Sequence, residues 1–207
     1  MQRSRRASGF TMIEMAVTMT IFAILVALGV PAMTTWIRNN KVRTVSDSLQ
    51  TGLRLAQAES LRRSRQVVFA LTNSTTPTVT PLPAAVDGLS WAIYSVPSMT
   101  AGEVPEFIQS GVLSNLSSQV TINTNPAIST VCFNSVGRLV NNASANVTAI
   151  TGGVNCQQPP GTPPVLKFNI TTTGADRPLQ VNLGLGGQIH MCVPGVAVTS
   201  DHPEACP

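Results

Sequence analysis

The chain has 207 residues, enough for one modest domain and an attached segment. Only 11% of residues are charged and the mean hydropathy is +0.20, which sets it apart from an ordinary water-soluble domain. The net charge of +4 does not point to a nucleic-acid-binding face. Arg3, Arg5 and Arg6 sit at the extreme N-terminus, and seven more cations lie between Arg38 and Arg65 against Asp47 and Glu59. Beyond Arg65, three cations (Arg138, Lys167, Arg177) face six carboxylates, so the distal part is mildly acidic.

The first predicted element is an apolar helix. Between Arg6 and Arg38 the sole charged residue is Glu14, and the run from Met12 to Val30 is long enough to span a bilayer core, which needs about 20 residues. A secretory signal shares the basic-then-apolar order, but its small-residue cleavage site follows the apolar stretch. Here Gly9 precedes it, so cleavage after Gly9 would leave the helix on the mature protein. The arginines before the segment and Arg38, Lys41 and Arg43 after it nearly balance, so charge alone does not orient it. The cysteines and the β-rich remainder favour an outside location for the C-terminal part. Glu14 either sits near the headgroups or has a partner, because a carboxylate in an apolar helix costs a few kcal/mol.

Pro31 should kink the helix, since proline lacks the backbone donor and crowds the preceding turn. Val45, Leu49, Leu53 and Ala56 recur at three- and four-residue spacing, which predicts an amphipathic continuation to about Arg65. Gly52 interrupts it at a cost of about 1 kcal/mol if exposed. Arg62, Arg63 and Arg65 form a solvated helix end, where cations suit the helix dipole, or a weak anion or DNA contact.

Short strands are then predicted at Gln66–Leu71, Trp91–Val96, Val120–Ile122, Val131–Phe133, Leu166–Ile170, Leu179–Leu183 and Gln188–Val193. Polar, Pro- and Gly-rich stretches, notably Asn73–Pro83 and Asn141–Pro164, read as loops. Asp87, Glu103 and Glu106 read as solvated loop charges. Helix first and strands after is an α+β pattern, with the helix packed on an antiparallel sheet. The domains expected are a leader (1–9), a transmembrane helix (10–31), an amphipathic helix (32–65) and a β-rich domain (66–207).

Cys132, Cys156, Cys192 and Cys206 make an even count that suits disulfides outside the cytoplasm. Four cysteines allow three pairings; the short closures Cys132–Cys156 and Cys192–Cys206 are the expectation. His190 with Cys192 and His202 with Cys206 offer a rival zinc site, but at a spacing of no established module. No metal or cofactor is expected. With two histidines, and without a phosphate loop, a nucleophile elbow or a metalloprotease motif, the chain is not expected to be an enzyme.

Gly9-Phe10-Thr11-Met12-Ile13-Glu14, behind a basic leader and ahead of Pro31, resembles the processing motif of type IV prepilins and type II secretion pseudopilins. Asn39–Val42, Leu53–Arg63 and the turn Asn134-Ser135-Val136-Gly137-Arg138 are similar to segments of the FimT/GspH minor pilins and pseudopilins. The resemblance is strong over residues 9–70, patchy to 140, and returns near 176–192. It implies cleavage between Gly9 and Phe10 by a prepilin peptidase and N-methylation of Phe10. Glu14, fifth in the mature chain, would neutralise the amino terminus of a neighbouring subunit. The implied partners are other pilins or pseudopilins and an inner-membrane assembly platform. The implied location is the bacterial inner membrane, single-pass, with the C-terminal domain in the periplasm. Some relatives take up DNA through a G-R-x-R motif on the last hairpin. Here the aligned residues are Gly187-Gln188-Ile189-His190, so both arginines are missing and nucleic-acid binding is not expected.

Overall fold

A computed structural model describes residues 11–97, 103–113 and 119–206. The leader, and with it Gly9 and Phe10, lies outside the described residues. The chain divides into two compact units, Met1–Ile37 and Arg38–Pro207.

A single α-helix, α1 (Met12–Arg63), runs from the first unit into the second, and Pro31 lies inside it. The hydroxyls of Thr34 and Thr35 donate to the Pro31 carbonyl at 2.7 and 3.3 Å. At its start, the Glu14 N–H donates to the Thr11 hydroxyl at 3.3 Å, so Thr11 serves as the N-cap.

The second unit is α+β, with two antiparallel sheets where the sequence suggested one. The first has the order β3-β2-β1-β5-β6, from β1 (Val67–Thr72), β2 (Ser90–Ser95), β3 (Glu106–Val112), β5 (Thr130–Phe133) and β6 (Leu139–Val140). The second has the order β4-β7-β8-β9, from β4 (Val120–Asn125), β7 (Val165–Thr172), β8 (Leu179–Gly184) and β9 (Ile189–Cys192). Two strands went unread in the sequence, β3 and β6. The polar stretch 141–164, expected to be loop, contains a short helix, α2 (Ala145–Thr151).

One core joins α1 to both sheets. Val42, Val45, Leu49, Leu53 and Ala56 of α1 are buried against Phe69, Leu71, Ile93 and Phe133 of the first sheet and Ile122, Phe168, Ile170 and Val181 of the second. A second core covers the opposite face of the first sheet, where Val68, Ala70, Ala92, Tyr94 and Cys132 meet Leu82, Val147, Ile150 and Cys156. Burial on both faces explains the uniformly apolar run of β1, all six residues of which are buried. In the second sheet β4 alternates buried and exposed residues, whereas the four central residues of β8 are buried on both faces.

Gly52 is no defect in α1. A Cβ there would stand 2.8 Å from the Trp91 ring, and a Cβ on Gly111, directly across the strand pair, would stand 2.5 Å from it. The two glycines make room for a buried indole.

Candidate anchoring and assembly surfaces

The first unit carries its apolar side chains outward. Met12, Ile13, Met15, Val17, Met19, Ile21, Phe22, Ile24, Leu25, Val26, Leu28 and Val30 are all exposed, and no part of the most apolar 18-residue window is buried. A helix that is apolar all round must be covered by lipid or by other apolar helices. Glu14 is exposed on this helix, one turn from its described start. The helix is long and apolar enough to cross a membrane.

At the far end of α1, expected as a solvated helix end, Arg62 and Arg65 are exposed, and all three arginines are also ion-paired. Glu59 accepts from Arg62 Nε at 2.9 Å and Nη2 at 2.7 Å, and from Arg63 Nε at 2.8 Å. Arg63 also pairs with Glu106, and Arg65 pairs with Glu103. The hydrogen bonds from Arg62, and then those from Arg63, hold the Glu59 carboxyl at about 2, well below the usual carboxylate range. Glu103 and Glu106, expected as solvated loop charges, are thus ion-paired; Glu106 remains largely exposed but opens β3, and Glu103 lies in the segment before it. They come from 38 to 43 residues along the chain to meet the helix end, a meeting that no local pattern announces. An open cleft of about 370 Å³ is lined by Arg63, Arg65, Ser95, Glu103, Val104 and Glu106, and its arginines are already engaged.

The two family-like turns meet on α1. Asn134 Oδ1 accepts from the N–H groups of Val136 and Arg138 at 3.1 and 2.9 Å, which closes the turn between β5 and β6. Gly137 takes φ +74° there, and its carbonyl accepts from Gln57 Nε2 at 2.9 Å. In the turn between β8 and β9, Gly187 takes φ +86° and packs so closely on Gln57 and the Gly137 carbonyl that any side chain would collide. The Leu139 N–H donates to the Leu185 carbonyl at 3.0 Å and so links the two sheets. Gln57 is thus a clasp that sequence reasoning passed over, since one glutamine on a helix gives no signal of its own. Gln188 and His190 lie at this last hairpin, both exposed.

The cysteines form two disulfides, Cys132–Cys156 and Cys192–Cys206. The first ties β5 to the segment after α2 across the second core. The second ties the end of β9 to the C-terminal tail, where Val193 pairs with Ala205. Disulfide sulfurs cannot serve as zinc thiolates, and no cluster of three or more metal-ligating side chains occurs among the described residues.

Comparison with known proteins matches residues 4–30 to the prokaryotic N-terminal methylation motif. Residues 45–187 match the family described as type II transport protein GspH. Among solved structures, the type IV minor pilin FimU of Pseudomonas aeruginosa is similar at 15% identity, with 81% of this chain and 96% of that one covered and a TM-score of 0.48. The minor pseudopilin EpsH from the type 2 secretion system of Vibrio cholerae is similar at 10% identity, with 75% and 99% covered and a TM-score of 0.45. E. coli GspH gives 10% identity, 75% and 89% covered and a TM-score of 0.43. No curated protein matches the chain.

Proposed function

The chain belongs to the GspH family of type II transport proteins, a family of minor pilins and pseudopilins, and on that premise we propose that it helps to initiate or cap a type IV pilus or a type II secretion pseudopilus. The observation that carries this reading is the outward-facing apolar helix of the first unit, attached to a separately packed α+β domain. Such a helix is held by lipid before assembly and by the helices of neighbouring subunits after it.

In this reading a prepilin peptidase cleaves between Gly9 and Phe10, and Phe10 is N-methylated. Residues 10–31 span the bacterial inner membrane once, residues 32–65 continue as the amphipathic helix, and the domain from residue 66 lies in the periplasm. Pro31 bends the helix between span and domain. Glu14 offers its carboxylate to the amino terminus of a neighbouring pilin or pseudopilin, and an inner-membrane platform drives assembly. The role is structural, without catalysis. No charge arrangement supports DNA capture at Arg62, Arg63 and Arg65, which are engaged with Glu59, Glu106 and Glu103. N-terminal sequencing of the native protein tests the processing step. A mature chain that begins at an N-methylated Phe10 supports it, and any other start refutes it.

A further inference from the structure

The end of the second unit at which the anchor enters is built differently from the rest of its surface. Arg38 follows Trp36 and Ile37 directly, and Lys41 and Arg43 lie within the next turn and a half of α1. Arg38 stands one turn before the buried Val42, on the helix face that enters the core. There the turn between β7 and β8 folds against it. A Cβ on Gly174 would collide with the Arg38 guanidinium. Asn39 fastens the same turn from both of its amide atoms. Its Nδ2 donates to Asp176 Oδ1 at 2.5 Å, and its Oδ1 accepts the Arg177 N–H at 3.3 Å. These contacts bring a fourth cation, Arg177, from 139 residues along the chain to the anchor end of the domain.

Four cations here stand against two carboxylates, and both carboxylates are engaged: Asp47 lies 3.9 Å from Arg43, and Asp176 accepts from Asn39. The contrast with the other end of α1 is instructive. There each arginine after Ser60 is matched by a glutamate. At the anchor end Arg38, Lys41 and Arg177 have no carboxylate within ion-pair distance among the described residues. An excess of cations at the point where an apolar helix leaves a domain is the arrangement that complements an anionic bilayer surface.

We propose that Arg38, Lys41, Arg43 and Arg177 form a membrane-facing surface that binds the headgroups of anionic phospholipids in the bilayer that holds α1. The inference rests on the reading of α1 as a membrane anchor and deepens it. The anchor fixes the depth of the chain, and this surface fixes the domain down on the bilayer. Its role is to hold the β7–β8 turn at the headgroups until the subunit is drawn into a filament, when lipid contacts are exchanged for protein ones.

The test uses the full chain reconstituted in vesicles of phosphatidylcholine alone, or with about one-third phosphatidylglycerol. Amide hydrogen exchange of the 173–178 turn is the readout, and protection of β7 and β8 reports that the domain is folded. The expected result is slower exchange of the turn in the anionic vesicles at low salt, with the difference lost at about 0.5 M salt. Lys41→Gln and Arg177→Gln should each shrink the difference about fivefold, the contribution of one cation near an anionic surface. Flotation with both vesicle types but equal exchange in them overturns the lipid-binding surface and leaves the anchor standing. Protection by inorganic phosphate in neutral vesicles, or protection unchanged by both substitutions, also overturns it. Failure to float with either vesicle type refutes the anchor itself, and the surface with it.

Discussion

Gly52→Ala places two physical effects in opposition, and the structure decides the winner. In an exposed helix interior, alanine is better than glycine by about 1 kcal/mol. Here the new Cβ would stand 2.8 Å from Trp91 Cε2 and 3.0 Å from Cδ2 and Cζ2, where ordinary carbon contacts lie at about 3.5–4.0 Å. The ring cannot retreat. A Cβ on Gly111 would stand only 2.5 Å from it, which shows how closely β3 already approaches, and Phe69 stacks on it at a centroid distance of 5.9 Å. Overpacking of this kind costs about 1–3 kcal/mol, and the pinned ring places this case in the upper part of that range. The net expectation is a loss of about 1–2 kcal/mol, or roughly 2–8 °C in Tm for a domain of this size. Urea denaturation of a fragment starting at Arg38 measures it. Trp91→Leu supplies the control: Trp91 Nε1 is buried with no hydrogen-bond partner among the described residues, so its removal breaks no hydrogen bond there. In that background Gly52→Ala should become neutral or stabilising, a coupling of about 2 kcal/mol between the two sites. A stabilising Gly52→Ala in the native background would refute the packing argument and restore the glycine as a mere helix defect.

Other measurements follow from the same structure. Replacing Cys132 and Cys156 together by alanine should cost about 3 kcal/mol from loop closure alone, read as a lower urea midpoint; an unchanged midpoint would mean that the bridge contributes nothing. Because Glu59 is held at about 2 in the folded protein, its contribution is present at neutral pH and is lost as the pH falls from the usual carboxylate range through about 2. Glu59→Gln should therefore lower stability near neutral pH, by about 1 kcal/mol after allowance for solvent screening, and the difference should shrink toward pH 2; a difference that persists at low pH would refute the ionic account. Glu14→Ala should leave the protein in the membrane fraction but reduce its copurification with other pilins, and undiminished copurification would argue against a pairing role for the carboxylate.

Periodicity made some elements legible and hid others. The amphipathic face of α1 was readable because Val45, Leu49, Leu53 and Ala56 recur at helical spacing, and each is buried. The strands β1, β2, β7 and β8 were readable within a residue or two from short runs of β-branched or alternating apolar residues. β3 was not. Its sequence, Glu-Phe-Ile-Gln-Ser-Gly-Val, mixes polar, apolar and glycine residues, as an edge strand with a register shift against β2 can. α2 was missed because Ala-Asn-Val-Thr-Ala-Ile-Thr contains few strong helix formers. It is held by tertiary burial of Val147 and Ile150, with Ser144 and Gly152 as the boundary signals that could have found it. The second sheet was implicit in a contrast of patterns. Val-Val-Phe-Ala-Leu in β1 is apolar on both faces, whereas Leu-Lys-Phe-Asn-Ile in β7 alternates. One sheet with one helix on it cannot easily satisfy both patterns.

Charge was the least legible layer, because its meaning depends on contacts remote in sequence. Arg62, Arg63 and Arg65 look like the most basic spot in the chain, and Arg38, Lys41 and Arg43 like an ordinary helix surface. Folding reverses that ranking. β3 and the segment before it deliver Glu106 and Glu103 to the first group, so Arg63 and Arg65 tie the end of α1 to the edge of the first sheet through partly exposed ion pairs. The β7–β8 turn delivers Arg177 to the second group along with Asp176, which Asn39 engages. A linear count therefore does not tell the carboxylate-matched end of the helix from the end where cations are in excess. The same argument bears on DNA capture. Restoring arginine at Gln188 and His190 would add two cations at an exposed hairpin, whereas Arg63→Ala would chiefly break the ion pairs to Glu59 and Glu106 and loosen β3. If a salt titration of duplex binding showed instead that Arg63→Ala abolishes tight binding while β3 keeps its hydrogen-exchange protection, the tie to β3 would be the wrong description of that arginine.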